Sequence, residues 1–202
     1  MRLRLIRHAT LLLELGGLRL VVDPQLDPAG ARPPVEGTPN PLRNPLVELP
    51  ETAEEVLSGI DAAFVTHTHT DHLDDEAVRL LPADLPVFCQ PPDAEPLRER
   101  GLTDVRPVEA RLGWGELQIM RTSGRHGTGE LGTQMGPVSG FVIRAPDEPV
   151  IYLAGDTIWD DKVRLALGRH SPEVVVLNAG GARFNEGDPI TMTAADVVAV
   201  AQ

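Results

Sequence analysis

Aromatic side chains are scarce in this chain. At 3% of 202 residues they cannot fill a core, which must be built mainly from Leu, Val, Ile and Ala. Cysteine is nearly absent, and the single Cys89 excludes an intrachain disulfide framework. No stretch approaches the roughly 20 apolar residues that a membrane-spanning helix needs. Met1-Arg2-Leu3-Arg4-Leu5-Ile6 alternates charge with apolar groups and lacks the continuous apolar segment of a signal peptide, so a cytoplasmic protein is expected. Positive charge is also short. A net charge of -12 argues against a broad nucleic-acid or anionic-membrane footprint, and bound divalent cations would offset part of it.

What remains describes an ordinary globular protein, with 42% hydrophobic and 24% charged residues. The length supports one substantial core and a single domain over 1–202. The 19 Gly and 19 Pro predict many turns, as in a strand-rich fold. Three short strands are expected over 3–7, 11–15 and 18–23, the last two joined through Gly16-Gly17 as a hairpin. Residues 25–50 are rich in Pro, Gly and Asn without a period, and read equally as a lid or pocket wall and as a plain surface loop. Helices are expected over 51–58, with Thr52 as cap, and over 74–81, 94–100, 162–168 and 193–202. Strands are expected over 62–65, 85–89, 104–108, 116–121, 139–144, 150–154 and 173–177, the last as a buried strand. An early hairpin-rich part followed by mixed strands and helices suits two sheets sandwiched between helices.

Three of these strands stop abruptly in polar groups: Val65 before His67, Leu153 before Asp156, and Leu177 before Asn178. The first is the densest. Residues 66–72 read Thr-His-Thr-His-Thr-Asp-His, three imidazoles and a carboxylate directly after an apolar strand. In an extended segment side chains alternate, so His67 and His69 point the same way and can grip one ion. Asp71 and His72 follow the strand, where the chain can turn and present both to a second ion. A solvated loop would also tolerate such residues, but the strand-end placement suits metal. His126 lies among glycines in Ser123-Gly124-Arg125-His126-Gly127-Thr128-Gly129. Taken alone it reads as a loop histidine, and Asp156 as a helix N-cap. Beside the cluster, His126 would complete three protein ligands plus water, the form of a catalytic zinc site, and Asp156 would bridge two ions.

These residues together resemble the metallo-β-lactamase fold superfamily of metal-dependent hydrolases: His67-x-His69-x-Asp71-His72, then His126, then Gly155-Asp156. More narrowly, His8-Ala9-Thr10, Val22-Asp23-Pro24, His126-Gly127-Thr128-Gly129, Met135-Gly136-Pro137-Val138-Ser139-Gly140 and Gly155-Asp156-Thr157 are similar to the branch containing ascorbate-6-phosphate lactonase. The resemblance implies an α/β (α+β) fold, an αββα sandwich with two metals at one edge of the sheets. His67, His69 and His126 would hold the first ion, Asp71 and His72 the second, with Asp156 between them. It also implies a further histidine after a strand beyond the last helix. The chain ends at Gln202, so the domain is expected to lack its last strand and helix, and the second position one ligand.

The expected activity is hydrolysis. A metal-bound hydroxide formed near neutral pH would attack an ester, lactone, amide or phosphodiester of a small, anionic substrate. Asp71, His72 and Asp156 are the expected catalytic residues. Arg125 is a candidate for binding an anionic group, the resemblance sets His8 on the substrate side, and Thr128, Thr157 and Asn178 are further candidates for substrate hydrogen bonds. Two divalent ions are expected, zinc first and manganese as the alternative, and assembly into a homo-oligomer is compatible with the sequence. Three competing readings remain open: a nuclease or phosphodiesterase of the same superfamily, iron-dependent oxidation on the same scaffold, and an inactive metal-binding module. The shortage of basic runs weighs against the nuclease.

Overall fold

The computed structural model describes residues 1–202, which divide into two compact units, Met1–Glu36 with Asn40–Val108, and Gly37–Pro39 with Glu109–Gln202. The first unit carries strands β1 (Arg2–Arg7), β2 (Thr10–Leu15), β3 (Leu18–Val22), β4 (Ala62–Val65), β5 (Val87–Cys89) and β6 (Val105–Pro107). They form one mixed sheet in chain order, antiparallel through β1–β2–β3 and parallel through β3–β4–β5–β6. Gly16 and Gly17 both take positive φ (58° and 76°), the primed turn that matches the twist of the β2–β3 hairpin.

Helices α1 (Ala53–Val56), α2 (Asp75–Leu80) and α3 (Ala94–Glu99) supply the crossovers of the parallel part. Each starts where side-chain chemistry dictates or allows. Thr52 and Glu55 form a capping box on α1, Asp74 accepts from Ala77 N–H on α2, and a short 3₁₀ turn over Pro91–Asp93 leads into α3. Val56, Ala77, Ala94 and Leu97 of these helices pack on Val21, Ala63, Val65, Val87 and Cys89 from one face of the sheet. The opposite face, with Leu11, Leu13, Leu20, Val22, Phe64 and Phe88, is also buried. Both faces therefore read as continuous apolar runs, as a covered parallel sheet requires. Each Val, Leu and Phe among them contributes about 1.5–3 kcal/mol of transfer free energy.

The second unit holds β7 (Arg111–Trp114), β8 (Leu117–Ser123), β9 (Ser139–Arg144), β10 (Ile151–Leu153) and β11 (Val174–Val176), with α4 (Gly129–Gln134), α5 (Asp161–His170) and α6 (Ala194–Ala201). The sheet order is β11-β10-β9-β8-β7, antiparallel except for the parallel β10–β11 pair. Val163 and Ala166 of α5 pack on Met120, Val142, Tyr152 and Ala154. No helix is long and apolar enough to cross a membrane.

Two elements were not foreseen and one expectation is corrected. The strand over 173–177, read as buried, is only partly buried, because it forms the edge of its sheet. The helix α4 contains Gly129 and Gly132, which disfavour helix and hide it in the sequence. The strand β7 is four residues with a glycine and shows too little alternation to read. Residues 25–50 are tied to the rest of the first unit at several points. The buried Arg7 guanidinium donates to Val47 O (3.0 Å) and Gln25 O (2.8 Å), and Arg32 donates to Thr70 O in the histidine loop.

Candidate metal centre

In the first unit the parallel strands β3 and β4 end side by side, and ligands of such sheets gather outside the carboxyl ends of the strands. Asp23 follows β3; Thr66 and His67 follow β4. Asp23 accepts from Thr66 N–H (Oδ1, 2.8 Å) and from the Thr66 hydroxyl (Oδ2, 2.8 Å), and its Oδ2 lies 2.8 Å from His72 Nδ1. Thr66 Oγ1 in turn lies 3.1 Å from His67 Nδ1. Since the Thr66 proton goes to Asp23, its oxygen accepts from His67 Nδ1–H. One carboxylate thus sets both rings, His72 directly and His67 through a hydroxyl. Each ring is held as the tautomer that offers the Nε2 lone pair.

His67 Nε2 stands 3.0 Å from His69 Nδ1. Two nitrogens sharing one ion at about 2.0–2.1 Å would be separated by roughly 3 Å, so this pair fits a common ion. Ligand-capable atoms of His67 and His72 likewise lie within 4.8 Å. The turn that follows is closed by His72 N–H and Leu73 N–H on His69 O, both 2.9 Å. It leaves Asp71 exposed, where its charge acts on His8. His8 itself is exposed at φ 50°, with Nε2 accepting from Leu46 N–H at 3.2 Å. Desolvation, then the Arg7 charge, lowers its pKa, and Asp71 opposes this.

In the second unit β8, β10 and β11 run the same way, so the residues after them share one sheet edge. His126 is buried, and its Nδ1 lies 2.8 Å from Ile190 O. A carbonyl only accepts, so Nδ1 donates to it and Nε2 is the ring nitrogen left for an ion. That Nε2 stands 3.6 Å from Asp156 Oδ2, while Asp156 Oδ1 accepts from Asn178 Nδ2 at 2.8 Å. Gly155 takes positive φ (67°) to turn the chain at this point.

The remaining expected residues separate by what they touch. Thr157 is fully buried; its hydroxyl accepts from Arg125 N–H (2.9 Å) and donates to Ile158 O (3.0 Å), so it fixes the His126 loop and offers no hydroxyl to a substrate. Asn178 orients Asp156. Thr128 precedes α4 and donates to Asp188 Oδ2 at 3.3 Å. Arg125 is exposed, with Nε 3.8 Å from Asp160. Sequence reasoning passed over Asp23 and Thr66 as site residues, although an acid directly after an apolar strand is the place to look for whatever orients the imidazoles. The Ile190 carbonyl carries no sequence signal.

The donor set of neutral imidazoles and carboxylates suits a borderline divalent ion. Comparison with known proteins agrees. A model of the beta-lactamase superfamily domain matches residues 19–202. The UPF0173 protein YddR of Bacillus subtilis is 37% identical over 183 residues, 89% of this chain and 72% of its own. A UPF0173 metal-dependent hydrolase of Opitutus terrae is 33% identical over 206 residues, 98% of this chain and 78% of its own. Among solved structures, an isothiocyanate hydrolase from Delia radicum gut bacteria superposes with a TM-score of 0.93 at 37% identity, covering 99% of this chain and 80% of that one. The chain belongs to the beta-lactamase superfamily, within its UPF0173 metal-dependent hydrolases. Its mixed α/β fold, with two mixed sheets and six helices, is that of the metallo-β-lactamase fold.

Proposed function

We propose that this hydrolase cleaves a small substrate at an electrophilic carbon or phosphorus, in an ester, lactone, amide or phosphodiester. His67, His69 and His126 would hold one divalent ion, Asp71 and His72 a second, and Asp156 both; zinc is the first choice and manganese the alternative. When bound, such an ion would lower the pKa of its water to about 7 and polarise the bond to be cleaved. Asp71, an exposed carboxylate, would orient the attacking water and take its proton. Asn178 keeps Asp156 turned for its role by bonding one oxygen and leaving the other toward His126.

The observation that carries this reading is the state of the imidazoles. His67, His72 and His126 each have Nδ1 against a fixed partner, Thr66, Asp23 or Ile190 O, which is how ligating histidines are oriented. The isothiocyanate hydrolase at 37% identity supports adding isothiocyanates to the candidate substrates. With such a substrate, water would add across the C=N bond to give a thiocarbamic acid, which would split to amine and carbonyl sulfide. The test is the metal-reconstituted chain assayed against phenyl acetates, lactones, anilides, phosphodiesters and aryl isothiocyanates, with and without chelator. Chelator-sensitive turnover of at least one class is expected. Turnover indifferent to chelator and to His67→Ala would overturn the reading.

A further inference from the structure

The chain has one lysine, Lys162, against 30 acidic residues, and its position is informative. It stands near the start of α5, and its Nζ donates to Gly124 O at 2.9 Å. Lys162, Arg125 and His126 line the same pocket, about 360 Å³ in volume, whose other walls are largely glycine: Gly124, Gly127, Gly129, Gly132 and Gly136. Glycine here serves two ends. At Gly124 a Cβ would meet Val138 Cγ2 at 2.9 Å, and at Gly132 it would meet Gly127 O at 2.6 Å, so the backbone behind the pocket is packed too closely for any side chain. At Gly129 and Gly136 a Cβ would meet nothing within 4 Å, so these two border open space. The result is a cavity walled largely by backbone, with two cations and His126 among its lining residues.

The nearby acids do not neutralise the lysine. Asp160 Oδ1 caps α5 by accepting from Lys162 N–H (2.9 Å) and Val163 N–H (3.3 Å). Its other oxygen lies 3.8 Å from Arg125 Nε, a loose approach. Asp161 is paired with Arg164 at 3.1 Å. The Lys162 ammonium makes one hydrogen bond, to a neutral carbonyl, and has three donors. In a chain of net charge -12, two cations beside a cavity with little side-chain volume form a local site for a small anion.

Resting on the hydrolase reading above, we infer that Lys162 and Arg125 bind a carboxylate-type group of the substrate. The favoured substrate then carries that negative charge a few bonds from the electrophilic centre, with Lys162 as its selecting residue. The test uses para-carboxyphenyl and para-carbamoylphenyl forms of whichever electrophile is turned over, on the metal-loaded full chain. The wild type should favour the carboxylate form, mainly through KM, and Lys162→Gln should reduce that preference by about 10- to 100-fold, the value of one hydrogen bond to a charged group. Lys162→Arg should retain it. A second arm needs no turnover: para-carboxybenzamide titrated into the labelled chain should shift the amide signals of Gly129, Gly132 and Gly136, and bind more weakly to Lys162→Gln at an unchanged melting temperature. Equal preference in wild type and Lys162→Gln, or glycine signals that do not move, would overturn the inference. Absence of turnover of both forms beside normal titration shifts would count against the hydrolase reading alone.

Discussion

Asp23 sits at φ 45°, a left-handed backbone that asparagine tolerates at least as well as aspartate. The turn is held by the Thr10 hydroxyl, which donates to Asp23 O (2.7 Å) and accepts from Gln25 N–H (2.9 Å). Asp23→Asn therefore keeps the backbone and the shape while replacing an anionic acceptor by a neutral amide. His72 and Thr66 lose their charged partner, and with it the tautomers of two proposed ligands. Metal affinity should fall by about 10- to 100-fold, read by competition with a coloured chelator. Affinity equal to wild type would show that Asp23 does not orient the rings.

Asp93 supplies a separate prediction. It is buried, with Gln90 Nε2 donating to it at 3.0 Å, and desolvation raises its pKa from 3.8 to about 6. Because the folded value is the higher one, the native state binds more protons than the unfolded chain between these values. Stability from this group accordingly falls as pH rises from about 4 to about 6 and stays reduced above. Asp93→Asn keeps an acceptor for Gln90 and removes the penalty. Urea unfolding should show the variant more stable at neutral pH by on the order of 1–3 kcal/mol, with the gain shrinking near pH 4. A gain independent of pH would contradict this account.

Among the elements, β9 shows how closely strand and site are coupled. A Cβ at Gly140 would meet Leu153 O at 2.6 Å and Ala154 O at 2.9 Å, backbone atoms that cannot swing aside. Gly140→Ala should push β9 from β10, whose end carries Asp156, at a cost of roughly 1–3 kcal/mol or more. A lowered melting temperature together with weakened metal binding is expected; an unchanged melting temperature would contradict it. The regular elements were legible where a local rule was strong: Gly16-Gly17 for the hairpin, Thr52 with Glu55 for α1, the apolar run of β4. They were illegible where glycine sets a shape that only tertiary contact reveals, as in α4. The burial of β11 was misjudged because Val174–Val176 reads the same at the edge of a sheet as at its centre.

At the scale of the molecule, the candidate site shows the same division. The His67 to His72 run announces itself because its ligands are consecutive in the chain. His126 and Asp156 needed that run as context, since each is an isolated polar residue after a strand. The carbonyl of Ile190, the Asp23–Thr66 relay and the glycine-walled cavity at Lys162 come from folding and could not be read from spacing. Cys89 reports on the whole fold: it is fully buried, and desolvation, then Asp93, pushes its thiol up to about 12. It should resist thiol reagents at neutral pH until the chain opens. A divalent ion at 100 times its Kd should slow that labelling by about 100-fold, the factor by which binding lowers the open population. Labelling that ignores the ion would mean that no ion stabilises the folded state.

His67 and His126 are each proposed as ligands of a divalent ion. Metal content by mass spectrometry of the zinc-reconstituted, dialysed chain tests this most directly, with His67→Ala and His126→Ala beside wild type. Bound zinc is expected in wild type, with a marked loss in both variants, each still folded by circular dichroism. Zinc retained at the wild-type level in folded His67→Ala and His126→Ala would contradict the proposal.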